Sequence, residues 1–170
     1  HFGGAPIILN MLANAPKEEQ IKLNHKVYVL TAAAPPPSII FKKMKELGFE
    51  VMHVYGLTET YGHILQCAWN SAWDELNEDE KADISSRQGV RYPNTEDVKV
   101  MNPENMETVP NDGKTIGEIM IRGNVVMKGY FKDKDATNKS MKDGWFHSGD
   151  LAVMHPNGYI QIKDLSLIHI

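Results

Sequence analysis

Two short segments carry residue types suited to chemistry on a phosphate and a ribose. The first is Tyr55-Gly56-Leu57-Thr58-Glu59. A glycine lets a ligand approach the backbone. A threonine hydroxyl can donate to a phosphate oxygen, and a glutamate carboxylate can hold a hard cation such as Mg²⁺. The second is Trp145-Phe146-His147-Ser148-Gly149-Asp150-Leu151. An aspartate just before a strand can accept two hydrogen bonds from a ribose diol. On spacing alone, a strand with a glycine turn and an Asx-type turn are the simpler accounts of the two. A third segment runs from Gly117-Glu118 through Arg122-Gly123 to Lys128-Gly129-Tyr130. It reads as a strand, a glycine turn and a short helical turn with a structural role.

Other chemistries find no pattern. The seven histidines show no H-E-x-x-H and no zinc spacing. There is no G-x-S-x-G and no Walker A loop. The acids Asp74, Glu75, Glu78, Asp79, Glu80 and Asp83 read as a solvated face, because no basic or histidine partner is patterned among them.

The elements that must position these segments follow from periodicity. Residues 6–23 read as a helix with Pro6 in its first turn and Ile7, Ile8, Met11 and Leu12 on one face. Lys26–Thr31 is a buried strand, broken by Ala32-Ala33-Ala34-Pro35-Pro36-Pro37. A helix over about 38–47 ends at Gly48, and Phe49–Tyr55 is a second strand. Strand, helix and strand at this spacing make a βαβ unit with parallel strands. Tyr55 to Glu59 then falls at the carboxyl end of a parallel strand, where open α/β sheets bind ligands.

Asn77 with Glu80 three residues later forms a capping box for a helix near 78–87. Beyond residue 90 the pattern is β-rich, with strands near 97–101, 116–122, 151–155 and 159–163 and a helix over 134–142. Asn157-Gly158 predicts a type I′ hairpin. The fold class is therefore α/β, a βαβ part of a parallel sheet followed by a β-rich subdomain. The expected division is 1–88, 89–164 and a tail at 165–170.

Composition narrows the class. The chain has 170 residues, 42% hydrophobic, with a formal net charge of −4 and one cysteine. That balance, with no basic stripe, argues against a nucleic-acid surface. A single cysteine allows no disulfide framework. No apolar run approaches the ~20 residues of a membrane span, and no signal peptide is visible. A cytoplasmic location fits these features.

Taken in order, the three segments resemble the adenylate-forming, AMP-binding superfamily. YGLTE at 55–59, GEIMIRGNVVMKGY at 117–130 and WFHSGDL at 145–151 carry the likeness, which spans roughly residues 1–164. HFGGAP at 1–6, TAAAPPP at 31–37 and HVYGLTETYG at 53–62 are similar to the acyl-CoA synthetase branch, including medium-chain fatty acyl and methylmercaptopropionate–CoA ligases. The resemblance implies part of the large N-terminal domain of an enzyme that uses ATP, Mg²⁺ and coenzyme A to activate a small carboxylic acid.

It also implies residue roles. Ala33, Ala34 and Pro35 would lie against adenine, Tyr55 would pack on the ring, and Ile162 would close its other side. Gly56 would border the acyl pocket, with residues 1–6 near it. Thr58 would contact the α-phosphate, Glu59 would hold Mg²⁺, and Asp150 would bind the ribose hydroxyls.

Departures are visible. The family's phosphate loop and lid domain have no counterpart in the 170 residues, and both ends read as cut. Leu165 and Leu167 stand where the family has an arginine and a hinge residue, and Ala33 stands where this branch often has glycine. The expectation is a chain inactive by itself. An amino-acid adenylation domain and a non-catalytic relic or binding module are the alternatives; Leu57, where adenylation domains usually carry proline, counts against the first.

Overall fold

The computed structural model describes residues 1–21 and 23–164. The tail residues Leu165 and Leu167 lie outside the described residues. The chain divides into two compact units, one of His1–Tyr55 with Gln66–Gln88, the other of Gly56–Leu65 with the residues from Gly89 onward.

In the first unit, β1 (Phe2–Gly3), β2 (Val27–Thr31) and β3 (Phe49–Leu57) are parallel neighbours. The register sets Val29 opposite Val51 and Thr31 opposite His53. Alternation sends Val27, Val29, Phe49 and Val51 to one face. There they meet Leu9 and Ala13 of α1 (Pro6–Ala13) and Ile40 and Met44 of α2 (Ser38–Glu46). Leu9 and Met44 are fully buried, so truncating either to alanine should cost about 2–5 kcal/mol.

Two features of α1 differ from the sequence expectation. α1 stops at Ala13, well short of residue 23. Pro16 has no N–H to continue the ladder and biases Ala15 away from helical backbone. The Asn14 side chain caps the end by donating to the Asn10 carbonyl at 2.9 Å. The buried stripe of α1 is Leu9 and Ala13, while Ile7, Ile8 and Met11 are exposed.

α2 ends as expected, with Gly48 at φ 92 just past the Leu47 cap. α3 (Glu78–Ser85) opens on the expected capping box. Asn77 Oδ1 accepts from the Asp79 and Glu80 amides, and the Asn77 amide donates to Glu80 Oε2. α3 packs on α2, with ion pairs Lys42–Asp79 and Lys45–Glu78 across the seam.

In the second unit, the end of β3 passes through a 3-10 turn (Thr58–Thr60) into β4 (Gly62–Gln66), and β5 (Val90–Arg91) is the next neighbour. A second sheet follows in the order β10-β9-β7-β6, all antiparallel. Its strands are β6 (Asp97–Met101), β7 (Gly117–Arg122), β9 (Trp145–Met154) and β10 (Ile160–Asp164). The short β8 (Met141–Lys142) pairs with β9 after α4 (Lys134–Ser140).

β7 is the central strand, and Gly117 through Ile121 are all buried. That explains its nearly continuous apolar run. β9 begins at Trp145, six residues before the expected start, because the irregular His-Ser-Gly-Asp stretch is a bulge inside the strand and not a turn before it.

The β9–β10 hairpin forms where expected but with a different turn. Gly158 has φ 79, whereas Asn157 has no positive φ. The Gly158 amide donates to the His155 carbonyl at 2.9 Å. Pro156 fixes the backbone for the first central position of a type I turn, and Gly158 takes the left-handed position that follows.

Candidate active site

The Tyr55–Glu59 segment leaves the carboxyl end of β3 and folds back at once. Gly56 is required there by contact, not by its φ: a Cβ would lie 2.0 Å from the Gly62 carbonyl oxygen and 2.4 Å from His63 Cα. Thr60, buried, locks the turn. Its hydroxyl oxygen accepts from the Leu57 amide at 2.9 Å, and its hydrogen faces the Leu57 and Gly62 carbonyls at 3.0 and 2.8 Å. Thr58 is exposed, so the two threonines separate into a structural residue and one open to solvent.

Glu59 is held at both ends by the third segment. Its backbone carbonyl accepts from the Met127 amide at 2.7 Å, and its Oε1 accepts from the Tyr130 hydroxyl at 3.0 Å. Tyr130 is itself anchored, its amide donating to Thr137 Oγ1 at 2.9 Å. Burial first, and the Glu59 carboxylate second, push the Tyr130 hydroxyl up to about 12. It therefore stays a donor at neutral pH.

Asp150 sits in β9, 3% exposed. The β7–β9 register runs Glu118 opposite Leu151 and Met120 opposite His147. One residue of β7 thus faces three of β9, and Ser148, Gly149 and Asp150 bulge from the ladder. Gly149 takes φ 77 there.

Side chains tie the bulge down. Glu118 Oε1 accepts from the Gly149 amide at 2.7 Å, and Oε2 accepts from His147 Nδ1 at 3.3 Å. The Ser148 hydroxyl donates to the Ile119 carbonyl at 2.6 Å and accepts from the Asp150 amide at 3.1 Å. His147 Nε2 is buried with no hydrogen-bond partner among the described residues. Ile162, 5% exposed, pairs with Ala152 across β9–β10.

In the first unit, Thr31 pairs with His53, so the loop after β2 and the end of β3 leave from one edge of the sheet. Ala33, Ala34 and Pro35 are exposed in that loop, and Tyr55 is buried two residues beyond His53. Ala33 has φ 75, in the left-handed region where a Cβ costs roughly 1–2 kcal/mol. Such strain concentrates at ligand-binding loops.

The second unit thus brings Thr58 and Glu59 together with the Tyr130 turn, and it carries Asp150 and Ile162 on the paired strands β9 and β10. Ala33, Ala34, Pro35 and Tyr55 belong to the first unit, and Gly56 directly follows Tyr55. Cavities of about 430 Å³, around Tyr28, Met52 and Trp69, and about 490 Å³, around Arg122, Met127 and Trp145, include none of these residues.

Among the described residues no group of three His, Cys, Asp or Glu side chains could cage a metal. One carboxylate, Glu59, suits the mode in which Mg²⁺ takes one or two protein oxygens and completes its shell with phosphate oxygens and water.

Sequence reasoning missed Tyr130, Glu118, Ser148 and Thr60. Thr60 had a local signal, since it lies two residues from Thr58. Glu118 and Tyr130 reach partners 31 and 71 residues away, and no local spacing encodes such pairs.

The chain matches the AMP-binding enzyme family over residues 1–131. It is 55% identical to an acetate–CoA ligase of Humulus lupulus and 52% identical to a peroxisomal acetate/butyrate–CoA ligase of Arabidopsis thaliana. Each alignment takes 98% of this chain and 29% of the relative, so the chain spans about three-tenths of the length of these curated relatives.

Among solved structures, the N-terminal domain of FACL13 from Mycobacterium tuberculosis superposes with a TM-score of 0.73 at 26% identity. That match covers 95% of this chain and 38% of that one. O-succinylbenzoate coenzyme A synthetase from Bacillus subtilis, solved in complex with AMP, shares the fold with a TM-score of 0.73 at 23% identity, over 96% of this chain and 30% of that one. The family match takes in well over half of the 170 residues, and the chain belongs to the AMP-binding enzyme family.

Proposed function

We propose that this chain is the part of an ATP-dependent carboxylic acid–CoA ligase that holds the AMP moiety of the nucleotide. The observation that supports the reading most is the grip on Glu59. The segment at 117–130, which has no chemistry of its own, fixes the carboxylate of the first segment and leaves Thr58 open beside it.

In this reading Thr58 donates to the α-phosphate and Glu59 faces the metal. Asp150 accepts from the ribose hydroxyls, Ala33, Ala34 and Pro35 border adenine, Tyr55 and Ile162 pack on its ring, and Gly56 borders the acyl pocket. Mg²⁺, when bound, neutralises charge on the phosphate oxygens.

The acid's carboxylate oxygen attacks the α-phosphorus. A new P–O bond forms and the bond to pyrophosphate breaks, with the electron pair leaving on pyrophosphate. The sulfur of coenzyme A then attacks the acyl carbon; a C–S bond forms, the bond from that carbon to the AMP oxygen breaks with its electron pair leaving on AMP, and the thiol proton passes to water. Both steps build charge on oxygen, so oriented donors are the chief protein contribution. No covalent enzyme nucleophile is needed.

The substrate we propose is a small monocarboxylic acid. Relatives near half identity are named for acetate and butyrate, and one at 44% for trans-cinnamate. The relative named as peroxisomal makes that compartment an alternative to the cytoplasm. No helix among the described residues is long and apolar enough to cross a membrane.

The test is ATP–pyrophosphate exchange by the complete open reading frame that contains the chain, across aliphatic acids, cinnamate and amino acids. Exchange driven by small acids and abolished in Asp150→Ala supports the ligase. Exchange driven only by amino acids would overturn it in favour of an amino-acid adenylation domain.

A further inference from the structure

We infer that Glu118 and Ser148 are positioning residues that build the ribose-recognition turn by holding the β9 bulge. The inference rests on the reading of Asp150 as the ribose ligand. A bulge of three residues opposite one leaves several backbone groups without ladder partners, and a buried unpaired amide or carbonyl is costly. Here the missing partners are side chains.

The Glu118 carboxylate takes the Gly149 amide at 2.7 Å, and the Ser148 hydroxyl bridges the Ile119 carbonyl and the Asp150 amide at 2.6 and 3.1 Å. The lengths fit a charge-assisted bond and a fully used hydroxyl. Glu118 is itself 8% exposed in the central strand β7. A carboxylate in that setting is disfavoured unless something is gained by it. What it gains is the Gly149 amide and the His147 ring, the residues that flank Ser148 immediately before Asp150.

Asp150 therefore does not take the direction an unbroken strand would give it. Its amide bonds to a hydroxyl two residues back, and its carboxylate direction is set by the latched Gly149 conformation at φ 77. Removing either latch should let the bulge relax toward a regular ladder and turn Asp150 away from the ribose, while groups that contact base and phosphate stay in place. The signature is a loss of discrimination for the ribose hydroxyls, distinct from a general loss of nucleotide affinity.

The experiment uses the complete open reading frame that contains the chain and compares Kd for AMP and for 2′,3′-dideoxy-AMP by titration calorimetry in wild type, Glu118→Ala, Ser148→Ala and Asp150→Ala. Thermal melts verify folding. Wild type should favour AMP by about tenfold or more, the scale of a hydrogen bond to a charged group. Glu118→Ala and Ser148→Ala should bring the ratio close to one, with dideoxy-AMP affinity within about twofold of wild type.

If Glu118→Ala does not fold, Ser148→Ala, which deletes one oxygen, decides the matter. Parallel weakening of both nucleotides with the ratio preserved, in either folded variant, overturns the inference and leaves the Asp150 reading standing. A wild-type ratio of one, no measurable binding, or a ratio that survives Asp150→Ala overturns the Asp150 reading, and the inference falls with it.

Discussion

Gly56→Ala tests whether contact, and not backbone freedom, fixes the glycine of the first motif. The added Cβ would sit 2.0 Å from the Gly62 carbonyl oxygen and 2.4 Å from His63 Cα. An ordinary contact there is about 3.4 Å, so the β3 end and the start of β4 must part by about 3.4 − 2.0 = 1.4 Å. Both clashing atoms are backbone, so no rotamer change relieves them. Overpacking costs about 1–3 kcal/mol where side chains can yield. With rigid partners the cost should reach at least the top of that range. For a chain of this size about 3 kcal/mol lowers Tm by roughly 6–12 °C.

The control is Gly158→Ala, at φ 79 with nothing within 4 Å of the added Cβ. Its cost is the left-handed penalty of about 1–2 kcal/mol, offset by the roughly 0.4–1 kcal/mol that alanine gains in the unfolded chain, so about 1 kcal/mol or less. Calorimetry of both variants separates the two causes. The reasoning is wrong if Gly56→Ala melts within about 2 °C of wild type, or if the two variants are equally destabilised.

Ala33→Gly should stabilise the chain. Relief of about 1–2 kcal/mol of left-handed strain outweighs the roughly 0.4–1 kcal/mol by which glycine loosens the unfolded chain; an unchanged or lower Tm would count against the strain. Tyr130→Phe deletes the Glu59 bond and should cost about 1 kcal/mol or more, with one tyrosine titrating near 12 missing from the 295 nm alkaline titration. Because the folded hydroxyl titrates above its ordinary 10, its contribution to stability is whole below pH 10 and fades as pH rises toward about 12.

Cys67 donates its thiol to the Ile84 carbonyl at 3.1 Å, and burial pushes it up to about 12. A disulfide reagent at pH 8 should label it only at the rate of local opening, and prompt stoichiometric labelling would contradict its burial. His53 is fully buried, bonded to the Ser86 carbonyl at 2.9 Å, and burial pulls its ionisation below 6.5. Its contribution is present above pH 6.5 and is lost as pH falls through the lowered folded value. Replacing it with glutamine should flatten that acid limb of the stability curve, and an unaltered limb would assign the acid sensitivity elsewhere.

The parallel strands, α2 with its glycine stop and the Asn77 capping box were legible because each signal is local and each competing conformation has a specific cost. Gly48 takes φ 92 and Asn77 receives the Asp79 and Glu80 amides. The first helix is shorter than its pattern suggests because the apolar and polar alternation continues past Pro16, where the missing N–H breaks the ladder. Its buried face was misplaced because periodicity names several stripes on an apolar helix, and only the sheet selects Leu9 and Ala13 over Ile7 and Met11. The hairpin at 155–158 was located from Asn157-Gly158, but Pro156 decides its type, since its φ near −65° belongs to a type I turn.

The candidate site was named from residues whose side chains suit ligand chemistry, and the residues that hold them went unnamed. Thr58, Glu59 and Asp150 stood out because their side chains match phosphate, cation and diol chemistry whatever surrounds them. Tyr130 and Glu118 did not, since a tyrosine after a glycine and a glutamate inside an apolar strand have no distinctive local meaning. Only pairing with Glu59 and Gly149 gives them one.

A buried carboxylate near the start of β7 is nevertheless a conflict visible in the sequence itself. Gly117-Glu118-Ile119-Met120-Ile121 reads as a central strand, and a charge there must find donors. The adjacent strand of an antiparallel sheet is where such donors lie. Of the two strands paired with β7 among the described residues, the one interrupted by a glycine is β9, with Ser148-Gly149-Asp150. The glutamate demands partners, the glycine is the irregularity that supplies them, and that match joins the second and third motifs.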